Sequence, residues 1–418
     1  MTGDGARDAS WQPWPAGVEA PQQPDWAAHP AYGPSCTALA SAPALVTPEE
    51  LARLRRALAV VAGGGAVMLQ LGDCAESFEE TDADQVRAKT AVLHALADEV
   101  ADGMGLPVLR VGRIGGQFAK PRSLPHEEVG GVLLPAFRGH MVNGESPTPE
   151  ARAHDPRRMV RAYEASADVL RALARERDQR ARRLQDFREL QGSKGLQGFQ
   201  GAPAFEDGPW ASHDALVVDY EARLVRTEGG RRFLGSTHLP WLGDRTRAPD
   251  SAHVRLLASV VNPVALKLGP STATAELREV CALLDPYRMP GRITLIVRMG
   301  AERVTGLLPP LVAAVRDAGH RPVWLSDPMH GNTVREAGRK TRRLTDIVDE
   351  ASRCKRVLER SGEHPGGLHL EVAASDVTEC LGGKVDGVDR LAERYTTLCD
   401  PRLNPDQAAE LTRAWVRA

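Results

Sequence analysis

Eight short apolar runs, several of them separated by stretches with helical periodicity, leave few folds open to this chain. They are Val67 to Gly72, Pro107 to Val111, Pro209 to Ser212, Gly235 to Leu242, Val264 to Leu268, Ile293 to Val297, Pro322 to Leu325 and Leu368 to Val372, the third being the least well defined. Strands that are apolar almost throughout are buried on both faces, as parallel sheets require, and helices such as TGLLPPLVAAVRDAGH supply the crossovers. Eight such units predict an α/β fold, a closed (β/α)8 TIM barrel with an N-terminal extension.

The predicted barrel domain spans 47–418. It opens at Thr47-Pro48-Glu49-Glu50, where a capping hydroxyl, a first-turn proline and a reciprocal glutamate start the helix LARLRRALAVVA, which stops at Gly63-Gly64-Gly65. It closes with a helix that Asn404 caps and Pro405 begins. Residues 1–46, rich in Pro, Ala and Gln and without helical periodicity, read as an extended arm on the surface or against a partner subunit of a homo-oligomer. The stretch QGSKGLQGFQGAP, 191–203, reads as a loop.

Composition removes several functions. A formal charge of -2 on 418 residues argues against a general nucleic-acid or membrane-surface binder, so any anion binding must be local. No apolar run approaches a membrane span and no basic, then apolar, leader opens the chain, so a cytoplasmic protein is expected. Cys36, Cys74, Cys281, Cys354, Cys380 and Cys399 form no CxxC pair and read as thiols, one or two of them available as ligands.

Barrel enzymes place chemistry at the C-terminal ends of their strands. The residues at or just after the ends of the apolar runs are Asp73-Cys74, Arg113, Asp244-Arg245, Lys267, Arg298, Asp327 with His330, and Glu371. Cys74, His330, Glu371 and Asp400 offer a thiolate, an imidazole and two carboxylates, a mixed set suited to Mn, Fe, Co or Zn. A buried thiol, a capping histidine and two surface carboxylates remain the alternative. His369 shares a strand face with Glu371 and is read as a ligand or as a support behind one. Arg113, Arg245, Lys267 and Arg298 form a second group that would repel one another without a polyanionic ligand, although each arginine alone could equally be a surface ion-pair partner. RVGRIGGQFAKPRS, 110–123, adds Lys120 and Arg122 around a Gly-Gly pair but lacks Walker A or GxGxxG spacing, which disfavours a nucleotide site.

With these residues located, the chain resembles the class II, plant-like 3-deoxy-D-arabino-heptulosonate 7-phosphate (DAHP) synthases. LQLGDCAESF, RVGRIGGQFAKPRS, HDPRRMVRAY, WLGDRTR, NPVALKLGP, RMGAERVTGLLPP, DPMHGNT, HPGGLHLEV, VTECLGG and CDPRLN match family blocks in family order, from about Thr47 onward. The resemblance implies condensation of phosphoenolpyruvate with erythrose 4-phosphate, with release of phosphate, at the head of the shikimate pathway. It puts the metal on Cys74, His330, Glu371 and Asp400, with Mn2+ or Co2+ expected and Fe2+ or Zn2+ compatible. Phosphoenolpyruvate falls to Arg113, Asp244, Arg245, Lys267 and Arg298, and erythrose 4-phosphate to Lys120, Pro121, Arg122 and Ser123. Catalytic roles fall on Lys267, Asp244, His330 and Cys74, and the Gly-Gly pair is read as letting the backbone pass close to the substrates.

The chain departs from the family pattern in four places. Asp244 stands where the family usually has Glu, shortening its reach by ~1.5 Å; His140 stands for the usual Asp; the segment from Arg175 to Ser212 is shortened; and the arm lacks a clear match to the longer extensions that carry aromatic-amino-acid control in some relatives. These departures suggest a secondary-metabolism copy. The alternatives are an amino-DAHP synthase acting on a nitrogen-bearing sugar phosphate, and a catalytically silent paralogue that binds a partner such as chorismate mutase.

Overall fold

The computed structural model describes residues 17–190, 205 and 208–418, so the 191–203 loop lies outside the described residues. Eight parallel strands close a barrel: β1 Val67–Gly72, β2 Val108–Arg113, β3 Trp210–Asp214, β4 Leu239–Leu242, β5 Val264–Leu268, β6 Ile293–Val297, β7 Val323–Ser326 and β8 Pro365–Glu371. Each pairs with its neighbour in sequence, and β8 closes on β1. All eight expected runs are barrel strands, the weak third one included.

Two boundaries differ in ways that matter. The third strand runs to Asp214 rather than stopping at Ser212. The fourth starts at Leu239 rather than Gly235, because the side chain of Asn262 bonds the Leu234 N–H, the Leu234 carbonyl and the Thr237 carbonyl, taking that backbone out of the ladder.

Helix α1, Tyr32–Ser41, corrects the reading of 1–46 as extended throughout. Its turns are held by burial of Cys36 and Leu39, and Trp26 is buried beside them. The indole of Trp26 and the hydroxyl of Tyr32 both donate to Asp219, at 3.1 and 2.9 Å. Tertiary burial of about 1.5–3 kcal/mol per large apolar side chain outweighs a weak local pattern. Helix α2, Pro48–Ala62, has the expected capping box, and its Leu54, Ala57, Leu58 and Val61 join Met68, Val111, Trp241 and Ile296 in one apolar cluster that plugs the barrel interior.

Inward positions alternate along each strand, which decides what reaches the mouth. Above the plug the interior turns polar. Gln70 donates to Ser212 at 2.9 Å and lies 2.8 Å from His369 Nδ1, while Ser212 donates to the Gly112 carbonyl at 2.7 Å. One register step higher, Gly72 faces both Arg113 and Glu371. A Cβ on Gly72 would lie 2.5 Å from the Arg113 carbonyl oxygen, so only glycine lets the two charged strand ends close in.

Among the described residues three small hairpins decorate the barrel: His126–Val129 with Val132–Pro135, Val225–Glu228 with Arg231–Leu234, and Val334–Glu336 with Arg339–Thr341. Their two-residue turns are Gly130-Gly131, Gly229-Gly230 and Ala337-Gly338, and the two Gly-Gly pairs are hairpin signals that the sequence carried. Among the described residues no helix is long and apolar enough to cross a membrane.

Candidate active site

The C-terminal mouth of the barrel holds a cleft of about 790 Å³. Cys74, Arg113, Lys120, Pro121, Arg122, Ser123, Asp244, Arg245, Lys267, Arg298, His330 and Asp400 all line it, so both predicted substrate groups and most of the metal group share one space. Glu371, fully buried, sits just behind the wall.

His330, Glu371 and Asp400 bring ligand atoms within 4.8 Å of one another. Their imidazole and carboxylate donors fit a divalent transition ion. Cys74 lies outside that trio but beside it: its sulfur accepts the Asp400 N–H at 3.3 Å. Hydrogen bonding with Cys399 lowers the Cys74 thiol and raises that of Cys399, and Lys120 further favours the Cys74 thiolate despite its burial. His330 is oriented from behind, its Nδ1 2.8 Å from Asp327, which leaves Nε2 facing Glu371 at 3.1 Å. His369 lies outside that trio. Its Nε2 is 2.7 Å from Arg113, making it a support for that guanidinium.

Four cationic or ionisable groups converge on Glu371: Arg342 at 2.7 Å, Arg113 at 3.0 Å, His330 at 3.1 Å and Lys120 at 3.5 Å. Burial would raise its pKa, but His330, Lys120, Arg342 and Arg113 hold it well below the ordinary range. Asp400 is similarly held by Lys120 at 2.6 Å and Lys340 at 2.8 Å.

The other cations divide by what already holds them. Arg298 donates to Asp244 at 3.0 Å and to the His330 carbonyl at 3.0 Å. Arg247, which the strand-end reading passed over, also donates to Asp244, at 3.2 Å. Lys267 donates to Asp327 at 2.9 Å, and burial, with Arg113 adding to it, pushes its ammonium down to about 8. Arg245 donates to Ser123 at 2.7 Å, linking the two expected substrate groups. Arg122 is largely committed, to Glu127 and to the Phe137 carbonyl at 3.0 Å.

The Gly-Gly pair does something other than expected. The N–H groups of Gly115, Gly116 and Gln117 all donate to the buried carboxylate of Glu76, at 2.9, 2.9 and 2.7 Å. The backbone anion site is real, but its anion is the chain's own. A Cβ on Gly116 would meet the His213 ring at 2.0 Å, which fixes glycine there. Arg110 points away from the cleft to an ion pair with Asp98. His140 packs against Phe78 and Phe137, accepting the Phe78 N–H at 3.0 Å, and lies outside the cleft lining.

Sequence reasoning missed Lys340, Arg342 and Asp214. Lys340 and Arg342 stand on or beside a hairpin strand that was not foreseen. Asp214 follows from inward alternation with Trp210 and Ser212 once the third strand is carried two residues further.

A (β/α)8 barrel whose mouth gathers seven lysines and arginines against three aspartates, beside a cluster of metal-type donors, is built for polyanionic ligands and a divalent ion. The chain belongs to the class-II DAHP synthetase family, whose profile matches residues 8–197 and 178–415. The likeness therefore begins within the arm rather than at Thr47. A probable phospho-2-dehydro-3-deoxyheptonate aldolase of Pseudomonas fluorescens is 46% identical over 399 residues, 95% of this chain and 94% of its own. A phospho-2-dehydro-3-deoxyheptonate aldolase of Streptomyces coelicolor is 40% identical over 433 residues, covering 96% of this chain and 95% of its own. One from Mycolicibacterium smegmatis is 40% identical over 423 residues, covering 93% and 90%.

Proposed function

We propose how this chain performs the DAHP synthase reaction of its family, joining phosphoenolpyruvate to erythrose 4-phosphate. The observation that carries the reading is the excess of seven lysine and arginine side chains over three aspartates around one cleft, in a chain whose overall charge is only -2. Two phosphate-bearing substrates supply the missing negative charge.

Arg113, Arg245, Lys267 and Arg298 hold the phosphate and carboxylate of phosphoenolpyruvate, with Asp244 aiming Arg298. Lys120, Pro121, Arg122 and Ser123 form the seat of the erythrose 4-phosphate phosphate, and the Arg245 to Ser123 hydrogen bond fixes the spacing between the two substrates. His330, Glu371 and Asp400, with Cys74 alongside, would hold the divalent ion, Mn2+ or Co2+ in our reading and Fe2+ or Zn2+ compatible with the same donors. When bound, that ion supplies Lewis acidity to the aldehyde oxygen.

The chain's own groups do the rest. The cations pin the enol so that its C3 faces the aldehyde carbon, converting a bimolecular encounter into a positioned one. As the new carbon–carbon bond forms, Lys267 donates a proton to the developing alkoxide; its lowered pKa keeps proton transfer close to balance near neutrality. Water then adds at C2, and collapse of the adduct expels phosphate. We place the enzyme in the cytoplasm as a homo-oligomer.

Supplied with Mn2+ or Co2+, the purified protein is expected to consume the enol absorbance of phosphoenolpyruvate only when erythrose 4-phosphate is added, releasing one phosphate per product. Absence of turnover with all four ions would refute the reading. Turnover with the amino sugar phosphate alone would favour the amino-DAHP alternative.

A further inference from the structure

Among the described residues, each carboxylate near the reacting atoms is paired, except one. Asp244 is held by Arg298 and Arg247, Asp400 by Lys120 and Lys340, Asp327 by Lys267 and His330, and Glu371 by the cations around it. Asp214 lines the same cleft, yet among the described residues neither of its oxygens pairs with a cation, and Oδ1 is buried without any hydrogen-bond partner. An orphaned buried carboxylate oxygen costs free energy that the fold does not recover, so a ligand is the expected partner.

The surroundings say what kind of ligand. Asp214 ends β3, shares the inward face of Trp210 and Ser212, and is level with Trp241 on β4. Its N–H is held by Gln117 at 2.9 Å, and its Oδ2 rests over Gly243, where a Cβ would lie 3.2 Å away. Phosphoenolpyruvate presents only acceptors and negative charge, so it cannot satisfy this oxygen. A donor must do so. Of the reactants, water and the sugar hydroxyls qualify; Asp214 is level with Trp241, and the lysine and arginine that pull on it most, Lys267 and then Arg113, belong to the group assigned to phosphoenolpyruvate, which favours the water.

Resting on the synthase reading above, we propose that Asp214 is a catalytic carboxylate that holds the water adding to C2 of phosphoenolpyruvate and accepts its proton. C3 of the enol bonds to the aldehyde carbon, leaving C2 electron-poor. The water oxygen then bonds to C2 while one of its protons passes to Oδ1 of Asp214. The bond from C2 to the phosphate oxygen breaks, its electron pair leaves with phosphate, and the C2 hydroxyl gives up its proton to phosphate as the ketone forms. No oxidation or reduction is involved; the proton gained by Asp214 offsets, through solvent, the one Lys267 gave to the alkoxide, so the enzyme is restored and water and phosphate balance.

Burial raises the Asp214 pKa to about 6, against the pull of Lys267 on β5, His213 on its own strand, Arg113 on β2 and Lys120 in the loop after β2. A base that must be ionised to work loses activity as pH falls through that value.

The test uses the Mn2+-loaded full chain. Asp214→Asn is nearly isosteric and removes an unpaired buried charge, so its thermal midpoint is expected to hold or rise. Its kcat should fall about 100-fold or more, with the acidic limb of the pH profile near pH 6 abolished. KM for both substrates and Mn2+ binding should stay within about threefold. Asp214→Glu, which keeps a base on a longer arm, should retain the limb with a smaller loss. A wild-type kcat and limb in Asp214→Asn would overturn the proposal. So would a defect confined to KM for erythrose 4-phosphate, which would make Asp214 a hydroxyl holder. A wild-type protein without turnover would refute the synthase reading itself.

Discussion

Glu371→Gln is expected to cost the protein both its divalent ion and several kilocalories of stability. The side chain is fully buried and its two oxygens are shared among Arg342, Arg113, Lys120 and His330. A neutral amide keeps the shape and loses the charge, leaving Arg342 and Arg113 buried with less compensation. Removing one partner of a buried ion pair typically costs about 3–5 kcal/mol. Ion affinity should fall further than the roughly 10–100-fold that losing a mere supporting group brings. Denaturant unfolding and Mn2+ titration read the two losses separately; a variant with wild-type stability and full Mn2+ affinity would exclude Glu371 from the site. The same carboxylate is expected to make the protein less stable in acid, which denaturant unfolding at a series of pH values checks. Its folded pKa lies well below the ordinary value, so its contribution to stability is fully present above the unfolded carboxyl pKa and is lost as pH falls toward the folded one.

Lys267→Met is expected to lower kcat by about 10²–10⁴-fold, the range for losing a proton donor that also stabilises developing charge. In the wild-type enzyme kcat/KM should fall as pH rises through about 8, because the ammonium is the working form and burial has lowered its pKa to that value. Lys267→Arg separates clamp from donor. A guanidinium restores positive charge but does not titrate in this range, so it should recover substrate affinity without recovering kcat. Recovery of both would reduce Lys267 to an electrostatic clamp.

How far the sequence reached depended on the period being read. Continuous apolar runs such as VALKL and ITLIV exposed the barrel, since strands buried on both faces need no alternation to be recognised. Reading the charged residue at or just beyond the end of each run located Arg113, Lys267 and Glu371, all of which face inward. The same reading passed over Asp214, because the third run is short and ends in polar residues, Ser212, His213 and Asp214, that look like a loop. Parity with Trp210 would have found it. Lys340 was out of reach in another way: its place beside Asp400 depends on how the hairpin of Val334–Glu336 and Arg339–Thr341 folds over the mouth. Helix α1 escaped because its pattern is weak and its burial is tertiary.

Anomalous scattering from a crystal containing Mn2+ and phosphoenolpyruvate tests the account most directly. The account predicts one strong manganese peak bonded to His330, Glu371 and Asp400 with the Cys74 sulfur as a further ligand, and the phosphoenolpyruvate phosphate held by Arg113, Arg245, Lys267 and Arg298. A manganese peak elsewhere, or phosphoenolpyruvate bound away from those four side chains, would contradict it.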